Sequence, residues 1–138
     1  MDATLPLLVL GIILLIHLTF VNINIGLGFF SIILRWRSLS NPEISKPARR
    51  MFKFLATSEV VSGVYGTMIT VILAGFWPTL VNIAAIILFI PLIISILGII
   101  IRLTSIAAYW YTWNKINSRT HLLIGVLMAF SGLMIPAG

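Results

Sequence analysis

The sequence predicts an all-α integral membrane protein, a four-helix up-down-up-down bundle. Three observations carry this expectation. Hydrophobic residues make up 60% of the 138 positions and charged residues 9%, against roughly 45–50% and about 25% in an average soluble domain. Long apolar stretches recur four times along the chain. The basic residues collect between those stretches instead of spreading over one face. With a mean hydropathy of +1.15, a water-soluble sphere of this length has too little interior to hide its apolar surface. Cysteine is absent, which excludes disulfides, zinc–thiolate sites and iron–sulfur clusters.

The first stretch, Leu5 to Leu34, carries no formal charge. As helix it measures about 45 Å, more than the ~30 Å hydrocarbon core. Its start, Met1-Asp2, is acidic and its apolar run is long, unlike a cleavable signal peptide. The expected spans are residues 5–34, 48–75, 79–113 and 119–136, in a single transmembrane domain. Phe76-Trp77-Pro78 reads as a tight turn, and Arg102 interrupts the third span without ending it. Ser38 to Pro42 breaks helix, and Ser45 ahead of Lys46-Pro47 reads as an N-cap.

The net charge of +6 does not signal nucleic acid. Arg35, Arg37, Lys46, Arg49, Arg50 and Lys53 fall between the first two spans, and Lys115 and Arg119 between the last two. This is the positive-inside pattern. It makes loops 35–47 and 114–118 cytoplasmic and places both termini outside the cell membrane. Trp36, Trp77, Tyr109, Trp110, Tyr111 and Trp113 then sit at the membrane interfaces, as an aromatic belt.

Polar side chains are costly in lipid unless they face protein, so they locate the bundle interior. On the first span His17, Val21, Asn24, Gly28 and Ser31 recur at helical spacing and share one stripe, with Gly26 and Gly28 leaving room for a neighbour. The second span offers Glu59, Ser62, Gly63, Gly66 and Thr70. His17 lies about 18 Å along the helix from Leu5. A histidine at that depth either hydrogen-bonds a facing helix or ligates haem iron. His121, the other histidine, falls two residues after Arg119, near the basic boundary, whereas His17 lies about 27 Å from it. The two are therefore not expected to clamp one haem, and His121 is either interfacial or a ligand for a second cofactor or partner. Glu59 and Arg102 fall at depths within side-chain reach of each other and are expected to form a buried charge pair. Alternatively, Arg102 holds a haem propionate and Glu59 passes protons.

With these residues in place, the chain resembles the N-terminal four-helix portion of cytochrome bd oxidase subunit I. His17-x-x-Phe20-Val21-x-x-x-x-Gly26 is similar to that family's first helix, where the equivalent histidine ligates haem iron. A basic loop then precedes a glycine-bearing helix with Gly63 and Gly66, and Pro91-Leu92 opens the third. Gly132-Leu133-Met134-Ile135-Pro136-Ala137-Gly138 is similar to the family's G-W-M-x-x-P-x-G, one residue shorter. The departures are specific. Ile72-Leu73-Ala74-Gly75 replaces an E-F-Q-F-G type stretch, Ser95 stands where the family has a glutamate, and no acid occurs near Arg102-Leu103. The quinol-binding loop and the low-spin-haem ligands would fall beyond residue 138. The resemblance thus implies a haem on His17; a b-type haem is expected, and the residues themselves add Asn24, Arg102 and His121 as further candidate cofactor contacts. The family's proton-delivery acids and quinol site do not carry over.

The expected function is a haem-binding membrane subunit that transfers electrons within a respiratory oxidoreductase complex or homo-oligomer. Lipid and other membrane subunits are the expected partners, with a quinone as a candidate. Any enzymatic activity is then an oxidoreductase activity of the larger complex. Two other readings stand beside it. One is a haemless scaffold or assembly subunit. The other is a small haem enzyme similar to bacterial membrane protoporphyrinogen oxidases, against which the third span lacks the lysine that this resemblance implies. A transporter is disfavoured, because four helices without a repeat offer little alternating-access machinery.

Overall fold

The computed structural model describes residues 2–137; Met1 and Gly138, the outermost residues of the two terminal motifs, lie outside the described residues. The elements are α1 (Thr4–Ser40), a 3-10 turn (Pro42–Ile44), α2 (Ser45–Phe76), α3 (Pro78–Ile87), α4 (Phe89–Tyr111) and α5 (Ser118–Ala137). No strand occurs among the described residues. Helices α1, α2, α4 and α5 are each long and apolar enough to cross a membrane. In lipid every backbone polar group must be satisfied within the segment, which helices do. The chain is an all-α, multi-pass membrane protein.

Burial is inverted relative to a water-soluble fold. The interior takes Asn24, Ser31, Ser58, Ser62, Arg102, Ser105 and Ser131, while Ile12, Val60, Ile86, Phe89 and Ile90 face outward. Lipid tails solvate aliphatic side chains as well as protein does, so helices associate through small residues and polar contacts instead. Helix α1 packs on α2 and α5, and α4 packs on α5. The pairings His17–Ser62 and Asn24–Ser58 make α1 and α2 antiparallel neighbours. The backbones of α2 and α4 stay apart. They meet through side chains at one end, where the Phe52 ring lies 4.6 Å from Tyr109 and 5.9 Å from Trp110. Beyond that aromatic contact the seam opens.

Several boundaries differ from the expected ones, each for a physical reason. Helix α1 does not stop near Leu34 but runs to Ser40, because Arg35 and Ser38 on its inner face are buried and hydrogen-bonded. The connection to α2 shrinks to residues 41–44, so most of the expected 35–47 loop is helical. Ser45 is the first residue of α2 and not its cap, and α2 has no side-chain cap; Asn41 instead caps the 3-10 turn, accepting from the Glu43 N–H at 3.1 Å. The expected 79–113 helix is broken at Leu88 into α3 and α4. Pro91 explains the break: its ring removes one N–H and clashes with the carbonyl four residues back, at Ile87. Trp77 joins α2 to α3, with Pro78 at the first position of the new helix. Of the expected aromatic belt, Trp36 and Tyr111 are exposed, but Tyr109 and Trp113 are buried against Phe52.

Candidate functional site

The open seam between α2 and α4 is a cleft of about 830 Å³, within the size range of small-molecule sites. Helices α1 and α5 form its back wall. His17, Asn24, Glu59, Ser62, Gly66, Met68, Arg102 and Gly132 are among its lining residues. Its walls are mainly aliphatic, and the few polar groups converge at two levels.

At the first level, His17 Nδ1 sits 2.9 Å from the Ser62 carbonyl oxygen. A carbonyl only accepts, so Nδ1 is the donor, and in the neutral ring Nε2 is the nitrogen that keeps a lone pair. No hydrogen bond engages Nε2 among the described residues. Gly66 leaves space for the ring, because a Cβ there would lie 2.9 Å from His17 Cε1. Gly26 and Gly63, which share the glycine pattern, face open space instead.

At the second level, Arg102 is buried and bonds three elements at once. Its Nη1 donates to the Met128 carbonyl at 2.8 Å, and its Nη2 to the Asn24 carbonyl at 2.9 Å and to Glu59 Oε2 at 3.1 Å. Glu59 is therefore the counter-ion of a guanidinium that also satisfies two backbone oxygens. Arg102 Nε is buried without a partner. Gly28 and Gly132 shape the slot: a Cβ would come within 3.1 Å and 2.6 Å of Arg102 Nη1, respectively. The Asn24 side chain accepts from the Ser58 hydroxyl and ties α1 to α2 beside the ion pair.

His121 does not line this cleft. It belongs to a separate buried cluster with Arg35 at the basic end of the bundle. Its Nδ1 accepts from Arg35 Nε at 3.1 Å, and its Nε2 donates to the Tyr109 carbonyl at 2.9 Å. The ring stacks on Tyr109 with centroids 4.0 Å apart, and the Arg35 guanidinium sits 4.7 Å from the Trp113 ring centre. Both imidazole nitrogens are thus engaged by protein. Of the candidate cofactor contacts, the cleft gathers His17, Asn24 and Arg102 with Glu59, and leaves His121 apart.

Two features escaped sequence reasoning. The roles of Gly28 and Gly132 as the walls of the Arg102 slot depend on which helices meet, which no local pattern states. Arg35, by contrast, continues the inner stripe of α1 at the same spacing (Asn24, Gly28, Ser31, Arg35, Ser38). Its burial was readable from that period, but its charge assigned it to the loop.

No group of three His, Cys, Asp or Glu side chains able to hold a bare metal ion occurs among the described residues. A macrocycle that brings its own four donors needs only axial ligands, which a lone imidazole can supply. No curated protein and no solved structure matches the chain. A family model, that of cytochrome bd terminal oxidase subunit I, matches residues 7–135. Because that match spans almost the whole sequence, the chain belongs to the cytochrome bd terminal oxidase subunit I family.

Proposed function

We propose that the chain is a haem-binding subunit of a respiratory membrane oxidoreductase, in which His17 would hold the iron of a b-type haem in the α2–α4 cleft. One observation carries the reading: His17 is held by Nδ1 on the Ser62 carbonyl, leaving Nε2 as the donor at a cleft wall. Metal-ligating histidines are oriented in this way, with the second nitrogen donating to a carbonyl or carboxylate. The family supports the choice of haem. The bound group would supply one-electron redox chemistry.

The remaining roles belong to the chain's own side chains. The Ser62 carbonyl fixes the orientation of the imidazole. Gly66 makes room for the Cε1 edge of the ring against α2. Arg102 places a fixed positive charge on the cleft wall, suited to a porphyrin carboxylate, and Glu59 balances it. The aliphatic lining contributed by Val21, Val60, Val64 and Ile99 keeps the site dry. We assign His121 to packing, since its nitrogens already hold Arg35 and Tyr109. We place the basic ends of the helices at the cytoplasm and the termini outside. Other membrane subunits, or a second copy, would supply the electron partners.

A second reading has its own support. The Arg102 contacts pin α1, α2, α4 and α5 together with no ligand needed, as a haemless scaffold subunit would require. Absorption spectroscopy of protein purified from haem-replete membranes separates the two. A Soret band, reduced-minus-oxidised α and β bands and a pyridine haemochrome of b type support the haem subunit. A colourless but fully helical protein supports the scaffold.

A further inference from the structure

A second cavity lies on the same α2–α4 seam, at its basic end. It measures about 370 Å³ and is lined by Lys46, Arg49, Arg50, Lys53 and Trp110. We propose that this cavity binds the headgroup of an anionic diacyl phospholipid, whose chains run along the exposed face of α2 beside the cleft mouth.

Four observations carry this. First, Lys46, Arg49, Arg50 and Lys53 are spaced three, one and three residues apart, so they share one face of α2. The positive-inside rule asks only for charge on one side of the membrane and does not require this convergence. Second, all four lie within the first turns of α2, whose first turn contains no acid. Cations there oppose the positive end of the helix dipole, an arrangement that an anion relieves. Third, none of the four forms an ion pair among the described residues. The Glu59–Arg102 contact is the ion pair formed among the described residues. All four are exposed, and the Arg49 guanidinium rests 5.1 Å from the Trp110 ring centre, which holds it at the cavity wall. Fourth, the same face of α2 continues as exposed apolar surface. Val60, Val64, Met68 and Val71 follow Lys53 at helical spacing and are 69%, 55%, 41% and 64% exposed. A cationic head site continuous with an apolar track has the dimensions of an amphiphile and not of a free anion. Basic pockets at helix ends with an interfacial aromatic side chain suit phosphate headgroups. Because Val60, Val64 and Met68 also line the main cleft, an acyl chain on this track lies across the cleft mouth.

The test uses the full chain in detergent, titrated with dioleoyl phosphatidylglycerol, with dioleoyl phosphatidylcholine and with inorganic phosphate. Thermal shift and native mass spectrometry of retained lipid are the readouts. Phosphatidylglycerol is expected to be retained and to raise the melting temperature, with phosphatidylcholine and phosphate doing neither. R49Q/R50Q is expected to weaken phosphatidylglycerol binding by about fivefold for each charge removed. K115Q/R119Q removes two charges away from the cavity and is expected to leave binding at the wild-type level. K46Q/K53Q serves as the second cavity variant should R49Q/R50Q fail to fold. Equal retention of both lipids overturns the proposal, as does equal loss in the cavity and control variants. Stabilisation by phosphate alone also overturns it, in favour of a free-anion site.

Discussion

Replacing Arg102 by methionine is expected to destabilise the protein by about 3–5 kcal/mol, the range for breaking a buried ion pair from one side. The figure follows from what the guanidinium leaves behind. The Met128 and Asn24 carbonyls each lose an additional donor, Met128 keeping the Ser131 hydroxyl at 2.7 Å, and Glu59 loses its counter-ion. Both carbonyls lie mid-helix and keep their own backbone N–H partners, so the cost rests on the stranded Glu59 carboxylate, which exceeds the about 1–3 kcal/mol of a neutral orphaned acceptor. The Glu59 side chain retains 15% exposure, which lets its surroundings relax and favours the lower part of the about 3–5 kcal/mol range. E59Q leaves both carbonyl bonds to Arg102 intact and should cost less than R102M. Adding E59Q to R102M removes the stranded carboxylate, so the double variant should be more stable than R102M alone. The coupling should fall in the 0.5–3 kcal/mol range of contacting residues. Equilibrium unfolding in detergent or nanodiscs measures all three. An R102M protein within about 0.5 kcal/mol of wild type, the range of ordinary surface substitutions, would refute the reasoning.

Three further outcomes follow from the same contacts. G132A should destabilise more than G28A, because its Cβ meets Arg102 Nη1 at 2.6 Å against 3.1 Å, and the guanidinium is pinned by three bonds; paired melting curves rank them. Tyr109 Oη is buried without a hydrogen-bond partner, so Y109F should be neutral or stabilising by up to about 1–3 kcal/mol, the cost of an unsatisfied group. H121A removes the acceptor of Arg35 Nε and the stacking on Tyr109, so it should lower the melting temperature while leaving any haem absorbance in place. Loss of the Soret band in a folded H121A protein contradicts the packing role.

The membrane class and the approximate positions of the four long helices were legible in the sequence because lipid imposes long, uncharged runs. The same constraint made the interior readable: Asn24, Gly28, Ser31, Glu59 and Arg102 are polar or small where neighbouring residues are aliphatic. Helix ends were less legible. Arg35 and Ser38 look like loop residues, yet the Arg35 side chain is satisfied by Ser38, Asn114 and His121, the last two supplied from far along the chain. Tyr109 and Trp113 resemble interfacial anchors, but Phe52 on α2 and His121 on α5 draw them inward. The break at Leu88 was written locally, in Pro91. Its position three residues ahead of the proline became evident only in the helix geometry. What stayed hidden was pairwise: which glycine faces which side chain, and that α2 and α4 part to form the cleft.

The central claim is that the His17 imidazole is an iron ligand. Haem-to-protein stoichiometry in wild type, H17A and H17A with added imidazole tests it most directly. Wild type should carry haem, H17A should insert and fold but lose most of it, and free imidazole should restore part of the Soret absorbance in the space the side chain vacates. An H17A protein that retains the wild-type stoichiometry and spectrum would contradict the assignment and leave His17 as a hydrogen bond between α1 and α2.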